Sequence, residues 1–207
     1  MEPTLQPLEV EVPGGSLAAV IEPGEGLFTV VLLHDHGADL DAMVPLLASL
    51  PLTEARRIAL DLPGHGLSDE YAEGAEADRV VAWLGDLKAR GWGPFVIVAA
   101  GDTAPLAWEL AVRTRIAGLC LIAPTGNATP LERLPPALPL LAFIAGGSPE
   151  RLCQWHGFRD KARGQWLSVS TTATHAELVS IDPAIRGQLA SHLAGFAREA
   201  YTLACRS

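Results

Sequence analysis

Histidine and carboxylate side chains stand directly after several apolar runs in this sequence. The residues that share this placement are His34, Asp35, His36, His65, Asp102 and His175. Imidazole and carboxylate groups act as general bases and nucleophiles in enzymes. If the apolar runs are parallel strands, their carboxyl ends meet at one edge of a sheet, which is where such proteins bind ligands. The sequence therefore predicts one site built from these loops.

The same side chains also suggest a metal site, because two histidines and a carboxylate at short spacing can bind zinc or iron. However, the pair His34 and His36 would have to converge with residues from three other loops. No known spacing of zinc ligands is matched. We therefore expect neither a metal ion nor another cofactor.

The elements that must position this site alternate between strand and helix patterns. Two alternating segments, 8–12 and 16–21, flank Pro13-Gly14-Gly15 and predict a β-hairpin. Apolar runs predict strands at 28–33, 57–62, 95–100, 118–123, 138–145 and 166–170, and periodic segments predict helices at 40–50, 75–90, 104–113, 149–163 and 184–201. This order predicts one α/β domain over residues 1–207, with a three-layer, doubly wound and mostly parallel sheet.

Composition and charge exclude several classes of protein. The formal net charge of −9, from 15 basic and 24 acidic residues, argues against binding to nucleic acid or to an anionic membrane. The N-terminal residues do not resemble a signal peptide, and no apolar stretch approaches the ~20 residues of a membrane span. The three cysteines, 120, 153 and 205, form no close pair, and Cys120 is expected to be a buried core residue. We expect a cytoplasmic protein whose partner is a small-molecule ligand or another protein.

Three segments resemble the α/β-hydrolase family in their order and spacing. Leu32-Leu33-His34-Asp35-His36-Gly37 is similar to the family's His-Gly loop, which supplies an oxyanion-hole amide. Asp61-Leu62-Pro63-Gly64-His65-Gly66-Leu67-Ser68 matches its Asp-x-Pro-Gly-x-Gly-x-Ser segment and is the most specific of the three. Residues 96–104 occupy the place of the nucleophile elbow, normally Gly-x-Ser-x-Gly. The likeness continues to the last predicted helix, and the short connection after residue 123 implies an open site without a cap domain.

The resemblance implies a catalytic triad, from which this sequence departs at three positions. Counted from the strand before it and from the helix after it, the serine position falls on Gly101, which has no functional group. Asp35 stands where the family has glycine, and Pro149 stands where the triad acid is expected, next to Glu150. Glu150 is a candidate acid, or a first-turn carboxylate that stabilises the following helix. These three departures fall in separate parts of the catalytic site, and together they predict that serine hydrolysis is lost.

His175 and Asp102 leave catalytic alternatives open. The resemblance places His175 at the position of the triad histidine and makes it the candidate base. Asp102 would occupy the nucleophile slot if the alignment shifted by one residue, or it could cap the following helix. Gly101 is expected to adopt the left-handed backbone conformation that the tight turn between strand and helix requires.

The leading hypothesis from the sequence is a pseudoenzyme that binds a small ligand or a partner at the former active site. The residues expected to contact that ligand are His34, Asp35, His36, Gly101 and Thr103. The alternative is a true hydrolase of an ester or similar bond, in which Asp102 or a water activated by His175 attacks the substrate.

Overall fold

The computed structural model describes residues 4–72, 74–125, 134–135, 137–145, 166–171 and 173–206. Within these ranges the chain forms eight strands: β1 (Gln6–Val12), β2 (Gly15–Glu22), β3 (Phe28–Leu33), β4 (Ala55–Leu60), β5 (Phe95–Ala100), β6 (Gly118–Ile122), β7 (Leu140–Ala145) and β8 (Trp166–Thr171). The helices of the same ranges are α1 (Val44–Ser49), α2 (Glu76–Ala89), α3 (Ala104–Arg113), α4 (His175–Val179) and α5 (Pro183–Ala204). Two 3-10 turns, Leu40–Ala42 and Gly101–Thr103, precede α1 and α3.

All eight strands belong to one sheet, in the order β1-β2-β4-β3-β5-β6-β7-β8. The pairs β1/β2 and β2/β4 are antiparallel, and every later pair is parallel. The predicted α/β fold with an N-terminal hairpin is therefore confirmed. The runs β3 and β5 are apolar at nearly every position because both of their faces are covered, as is usual in parallel sheets.

Helices cover both faces of this sheet and produce the three predicted layers. Neighbouring residues of a strand point to opposite faces. Val31 therefore shares a cluster with Trp83 of α2 on one face, and Val30 shares a second cluster with Leu46 of α1 and Leu193 of α5 on the other. Each of these side chains is fully buried. This packing fixes the edge of the sheet at which the functional loops lie.

Most predicted boundaries agree with the structure to within three residues, and two differences carry information. The helix expected at 40–50 is divided into a 3-10 turn and α1, with Pro45 in the first turn of the regular part. Helix α4 was not predicted, although Thr174 and Glu177 form a capping box at its start. The helix expected at 149–163 lies outside the described residues.

The connection between β6 and β7 comprises only residues 123–139. This length is too short for a separate cap domain, as the sequence predicts. In the part of the chain that the structure describes, no helix combines the length and the apolar character needed to cross a membrane.

Candidate active site

The parallel register brings the loops after β3, β4 and β5 together. Leu33 is paired with Leu60 of β4 and with Ala99 of β5. The loop that begins at His34 therefore lies between the loop that begins at Asp61 and the turn at Gly101. The sequence analysis expected this meeting of loops at the carboxyl edge of the sheet.

His34 joins two of these loops and has no exposed surface. Its Nδ1–H donates to the carbonyl oxygen of Asp35 at 2.8 Å, and its Nε2 accepts the amide N–H of Leu62 at 3.0 Å. Burial lowers the pKa of His34, with an opposing effect from its hydrogen bond to the Asp35 carbonyl. Both ring nitrogens are bound within the loops, which gives His34 a structural role. A contact between His34 and a ligand remains a prediction.

The segment Asp61–Ser68 is held by its own hydrogen bonds. The buried carboxylate of Asp61 accepts the amide of Leu40 through Oδ1 at 2.8 Å and the amide of Leu67 through Oδ2 at 2.9 Å. The hydroxyl of Ser68 donates to the Asp61 carbonyl at 2.7 Å and accepts the amide of Ala18 at 2.9 Å. The most specific motif of the sequence therefore builds a loop and leaves no free functional group on Asp61.

His36 and His65 stack at the rim of the site, with ring centroids 5.5 Å apart. His65 donates from Nδ1 to the carbonyl of Pro63 at 3.0 Å, and His36 is exposed. Glu76, at the start of α2, is a neighbour of this pair that was not predicted as a site residue. Burial raises the pKa of Glu76, whereas the positive potential of His36 and His65 lowers it. Nothing in the local sequence singles out Glu76, because its neighbours come from other loops.

Gly101 is the first residue after β5, and its φ of +54° lies in the left-handed region. The chain then enters the 3-10 turn and helix α3. Thr103 is 1% exposed, and its hydroxyl donates to the His34 carbonyl at 2.6 Å. Thr103 therefore links the turn to the loop after β3. Its contact with a ligand remains a prediction.

The carboxylate of Asp35 occupies the space beside Gly101. A Cβ atom added to Gly101 would lie 2.2 Å from Oδ1 of Asp35 and 2.5 Å from its Cγ. The same Oδ1 accepts the amide N–H of Asp102 at 2.6 Å. Asp35 is half-buried, and the part of the chain that the structure describes places no donor on its second oxygen, Oδ2. Only glycine at position 101 is compatible with this arrangement.

Asp102 does not cap helix α3. The N-cap residue of α3 is Thr103, and no side chain caps its amides. The carboxylate of Asp102 is exposed and accepts the hydroxyl of Thr125 instead. The interpretation of Asp102 as a helix cap is therefore wrong. The physical reason is that the 3-10 turn separates Asp102 from the free amides of α3.

The two remaining triad candidates are defined less fully. His175 is the first residue of α4 and follows β8 at the same edge of the sheet, with Thr174 as the N-cap residue. The side chain of His175 and all of Glu150 lie outside the described residues. Among the residues that are described, no group of three or more His, Cys, Asp or Glu side chains could hold a metal ion.

The alpha/beta hydrolase family matches residues 30–205 of this sequence. This range includes every loop of the site. The chain belongs to the α/β-hydrolase family. No curated protein matches the sequence significantly.

Solved structures of other proteins share the fold of this chain at low sequence identity. The Pyrococcus furiosus esterase Pf2001 superimposes with a TM-score of 0.80 at 14% identity, covering 95% of this chain and 90% of the esterase. An alpha-beta serine hydrolase homologue from Coxiella burnetii gives 0.73 at 18% identity, with 91% and 97% covered. The bottromycin epimerase BotH, in complex with bottromycin A2, gives 0.69 at 19% identity, with 92% and 98% covered. At these identities the likeness concerns the fold alone.

In an α/β-hydrolase, the turn between strand and helix carries the nucleophile, and the amide of the next residue is an oxyanion-hole donor. In this chain the turn between β5 and α3 begins at Gly101, and the amide that follows it belongs to Asp102. Asp35 was expected to oppose an oxyanion here unless its carboxylate pointed away. The carboxylate points toward the Asp102 amide and accepts its N–H. Gly101 and Asp35, two of the departures from the family pattern, therefore contact each other. Their positions directly after the neighbouring strands β5 and β3 were the sequence signal for this contact.

Proposed function

We propose that this protein is a hydrolase of a small substrate that acts through a carboxylate, without a serine nucleophile. The observation that carries the proposal is the position of Asp35, whose carboxylate stands beside Gly101 where a nucleophile side chain would begin. A carboxylate can activate water as a general base or attack the substrate directly. Either route gives hydrolysis of an ester or similar bond.

Family membership supports hydrolysis over the pseudoenzyme hypothesis, because fold neighbours include an esterase and a serine hydrolase homologue. The fold alone does not fix the reaction, since another neighbour is an epimerase. The argument for hydrolysis therefore rests on the site. The connection 123–139 is too short to form a cap domain, so small soluble substrates can reach the site directly.

Binding without turnover is the second candidate function. The hydrogen bond between Asp35 and the Asp102 amide favours it, because this bond removes a donor that an acyl substrate needs for its oxyanion. In this case a ligand would contact Asp35, His36 and the backbone at Gly101, without being cleaved.

Two measurements test the proposal together. A fluorophosphonate probe followed by intact mass should show no adduct, because no serine stands at the turn after β5. A panel of small carboxylic, phosphoric and sulfuric esters and alkyl halides should include a substrate that the protein hydrolyses. Asp35→Asn should abolish that hydrolysis, whereas the matched variant Asp41→Asn, at an exposed position, should retain it.

The outcomes separate the candidates. A stoichiometric adduct on a serine would contradict serine-independent chemistry. Saturable binding of a panel compound without turnover, weakened by Asp35→Asn, would favour the second candidate. Hydrolysis that Asp35→Asn leaves unchanged would show that the carboxylate is not involved.

A further inference from the structure

The carboxylate of Asp35 coincides with the start of the side chain that Gly101 lacks. A Cβ on Gly101 would lie 2.2, 2.5 and 2.9 Å from Oδ1, Cγ and Oδ2 of Asp35. Non-bonded heavy atoms in proteins lie much farther apart than the distances from this Cβ to Oδ1 and to Cγ. The carboxylate therefore fills the volume of the missing side chain, although it comes from the loop after β3.

This carboxylate is held in place from both ends. The Asp35 carbonyl accepts Nδ1–H of His34 at 2.8 Å and the amide of Ala38 at 3.1 Å, which fixes the backbone. At the other end, Oδ1 accepts the amide of Asp102 at 2.6 Å. The second oxygen, Oδ2, has no donor among the described residues, and Asp35 is half-buried. One oxygen is thus anchored and the other is available to react.

We propose that Asp35 is the nucleophile of this protein, supplied from the loop after β3 to the place where the turn after β5 has lost its own. The inference rests on the proposed function and names the residue and the substrate class. In the first step, Oδ2 attacks a saturated carbon of the substrate. A carbon–oxygen bond forms, the bond to the leaving group breaks, and the leaving group departs with the electron pair as an anion.

In the second step, water attacks Cγ of the resulting ester. Negative charge develops on Oδ1, where the Asp102 amide already donates, so the oxyanion donor serves the enzyme's own carboxyl group. The bond between Cγ and Oδ2 breaks, and the substrate leaves as an alcohol. A base, for which the family resemblance supplies His175, takes one water proton and returns it to the departing alkoxide oxygen. The second water proton is released when the restored carboxyl group ionises. One oxygen of the restored Asp35 carboxylate then comes from water, and the net reaction is R–X + H₂O → R–OH + X⁻ + H⁺.

The substrate class follows from the use of this donor. An acyl substrate would need an amide for its own developing oxyanion, but the Asp102 amide is committed to Asp35. Displacement at a saturated carbon places no oxyanion on the substrate. The site therefore fits alkyl compounds with a stable anionic leaving group, such as alkyl halides and alkyl sulfates.

Asp102 is the other carboxylate that could act as nucleophile. It differs from Asp35 in its position relative to the turn, its exposure and its hydrogen-bond partner. It lies one residue beyond the left-handed turn, is exposed, and accepts the hydroxyl of Thr125. Its own amide is the donor that Asp35 uses. In Asp35→Asn the amide oxygen can still accept the Asp102 N–H, and Asp41→Asn, at an exposed position of the 3-10 turn Leu40–Ala42, serves as the matched control.

A single-turnover experiment in heavy-oxygen water tests the inference. Enzyme in excess over 1-bromobutane is allowed to react once, bromide release is measured, and the enzyme is digested for peptide mass. We expect one heavy oxygen in the peptide that contains Asp35 and unlabelled butanol, since the alcohol oxygen comes from the carboxylate. Asp35→Asn should lower bromide release by about 10⁴-fold, whereas Asp41→Asn should change it by less than about threefold.

Other outcomes overturn the inference in distinguishable ways. Heavy oxygen in butanol and none in the protein would mean direct attack by water, and label in the peptide containing Asp102 would make Asp102 the nucleophile; both leave serine-independent hydrolysis intact. Hydrolysis of carboxylic esters without bromide release would refute the substrate class alone. Absence of hydrolysis across the whole panel of esters and halides would refute the proposed function as well. Since the label is read in the unmodified protein, the test does not depend on the folding of any variant.

Discussion

Two pairs of residues, Gly66 with Asp61 and Gly101 with Asp35, share one geometry. They differ in how many carboxylate oxygens accept hydrogen bonds. Gly66 and Gly101 have φ values of +51° and +54°. A Cβ on either would lie 2.2 Å from a carboxylate oxygen, of Asp61 or Asp35 respectively. In both pairs that carboxylate accepts the amide N–H of the residue after the glycine.

The difference lies in the second oxygen of each carboxylate. Asp61 is 2% exposed and uses both oxygens, one on the amide of Leu67 and one on that of Leu40. Asp35 is half-buried, and among the residues that the structure describes only one of its oxygens accepts a hydrogen bond. The same arrangement therefore closes a loop in the first pair, whereas in the second it leaves one oxygen without a donor in the described part of the chain. A carboxylate oxygen can react with a substrate only where no protein donor occupies it.

Asparagine substitutions at the two aspartates should give the largest contrast. Asp61→Asn leaves one buried amide facing an NH₂ group, so we expect the free energy of unfolding to fall by about 2–4 kcal/mol. Asp35→Asn keeps its single acceptor and should cost less than about 1 kcal/mol. Urea unfolding of both variants measures this contrast. Equal losses would mean that the two pairs are structurally equivalent, and would weaken the case for a free oxygen on Asp35.

A side chain at position 101 should be tolerated only when Asp35 is removed. Gly101→Ala adds the strain of a left-handed backbone, about 1–2 kcal/mol, and displaces Asp35 from the Asp102 amide. We expect a loss of about 2–3 kcal/mol in the native sequence and about 1 kcal/mol in the background Asp35→Gly. A double-mutant cycle measures this coupling, and additive losses would contradict the overlap of the two groups. For the same reason, Gly101→Ser alone should not create a working serine nucleophile.

The sequence predicted the sheet well because buried parallel strands are read from local composition. The run Phe28–Leu33 and the run Phe95–Ala100 agree with β3 and β5 at both ends. It also indicated that Gly101 and Asp35 depart from the family, but not that they contact each other. That contact depends on register and on two hydrogen bonds that fix the loop after β3, which no local pattern encodes. The structural roles of His34 and Thr103 were not predicted for a similar reason, since their burial is a property of the assembled loops.

His34 links the two regions and should make their stability depend on pH. It bonds the Leu62 amide in one loop and the Asp35 carbonyl in the other. Burial lowers the pKa of His34 below its ordinary value of 6.5, so the unfolded chain binds this proton more readily than the native protein. Its contribution is complete above pH 6.5 and is lost as the pH falls toward the lowered native pKa. The slope for one such group is at most about 1.4 kcal/mol per pH unit.

Unfolding free energies measured between pH 8 and pH 5 test this link. His34→Gln can still accept the Leu62 amide but does not titrate, so we expect a flatter profile in that variant. His36→Gln provides a control at an exposed position. If the native protein and His34→Gln have parallel profiles, His34 does not carry the pH dependence.

The smallest effect is expected at Asp102, the carboxylate that the sequence made most prominent. A helix cap replaced by alanine costs about 0.5–2 kcal/mol. Asp102 makes no such cap, because Thr103 is the N-cap residue of α3 and the Asp102 side chain contacts Thr125 at the surface. Asp102→Ala should therefore change the free energy of unfolding by less than about 0.5 kcal/mol, as exposed substitutions usually do. The backbone amide that Asp35 accepts is unchanged in this variant, so the Asp35 pair should persist and its hydrolysis should survive. A loss above 1 kcal/mol in urea unfolding would restore the capping role, and a loss of hydrolysis with unchanged stability would transfer the chemistry from Asp35 to Asp102.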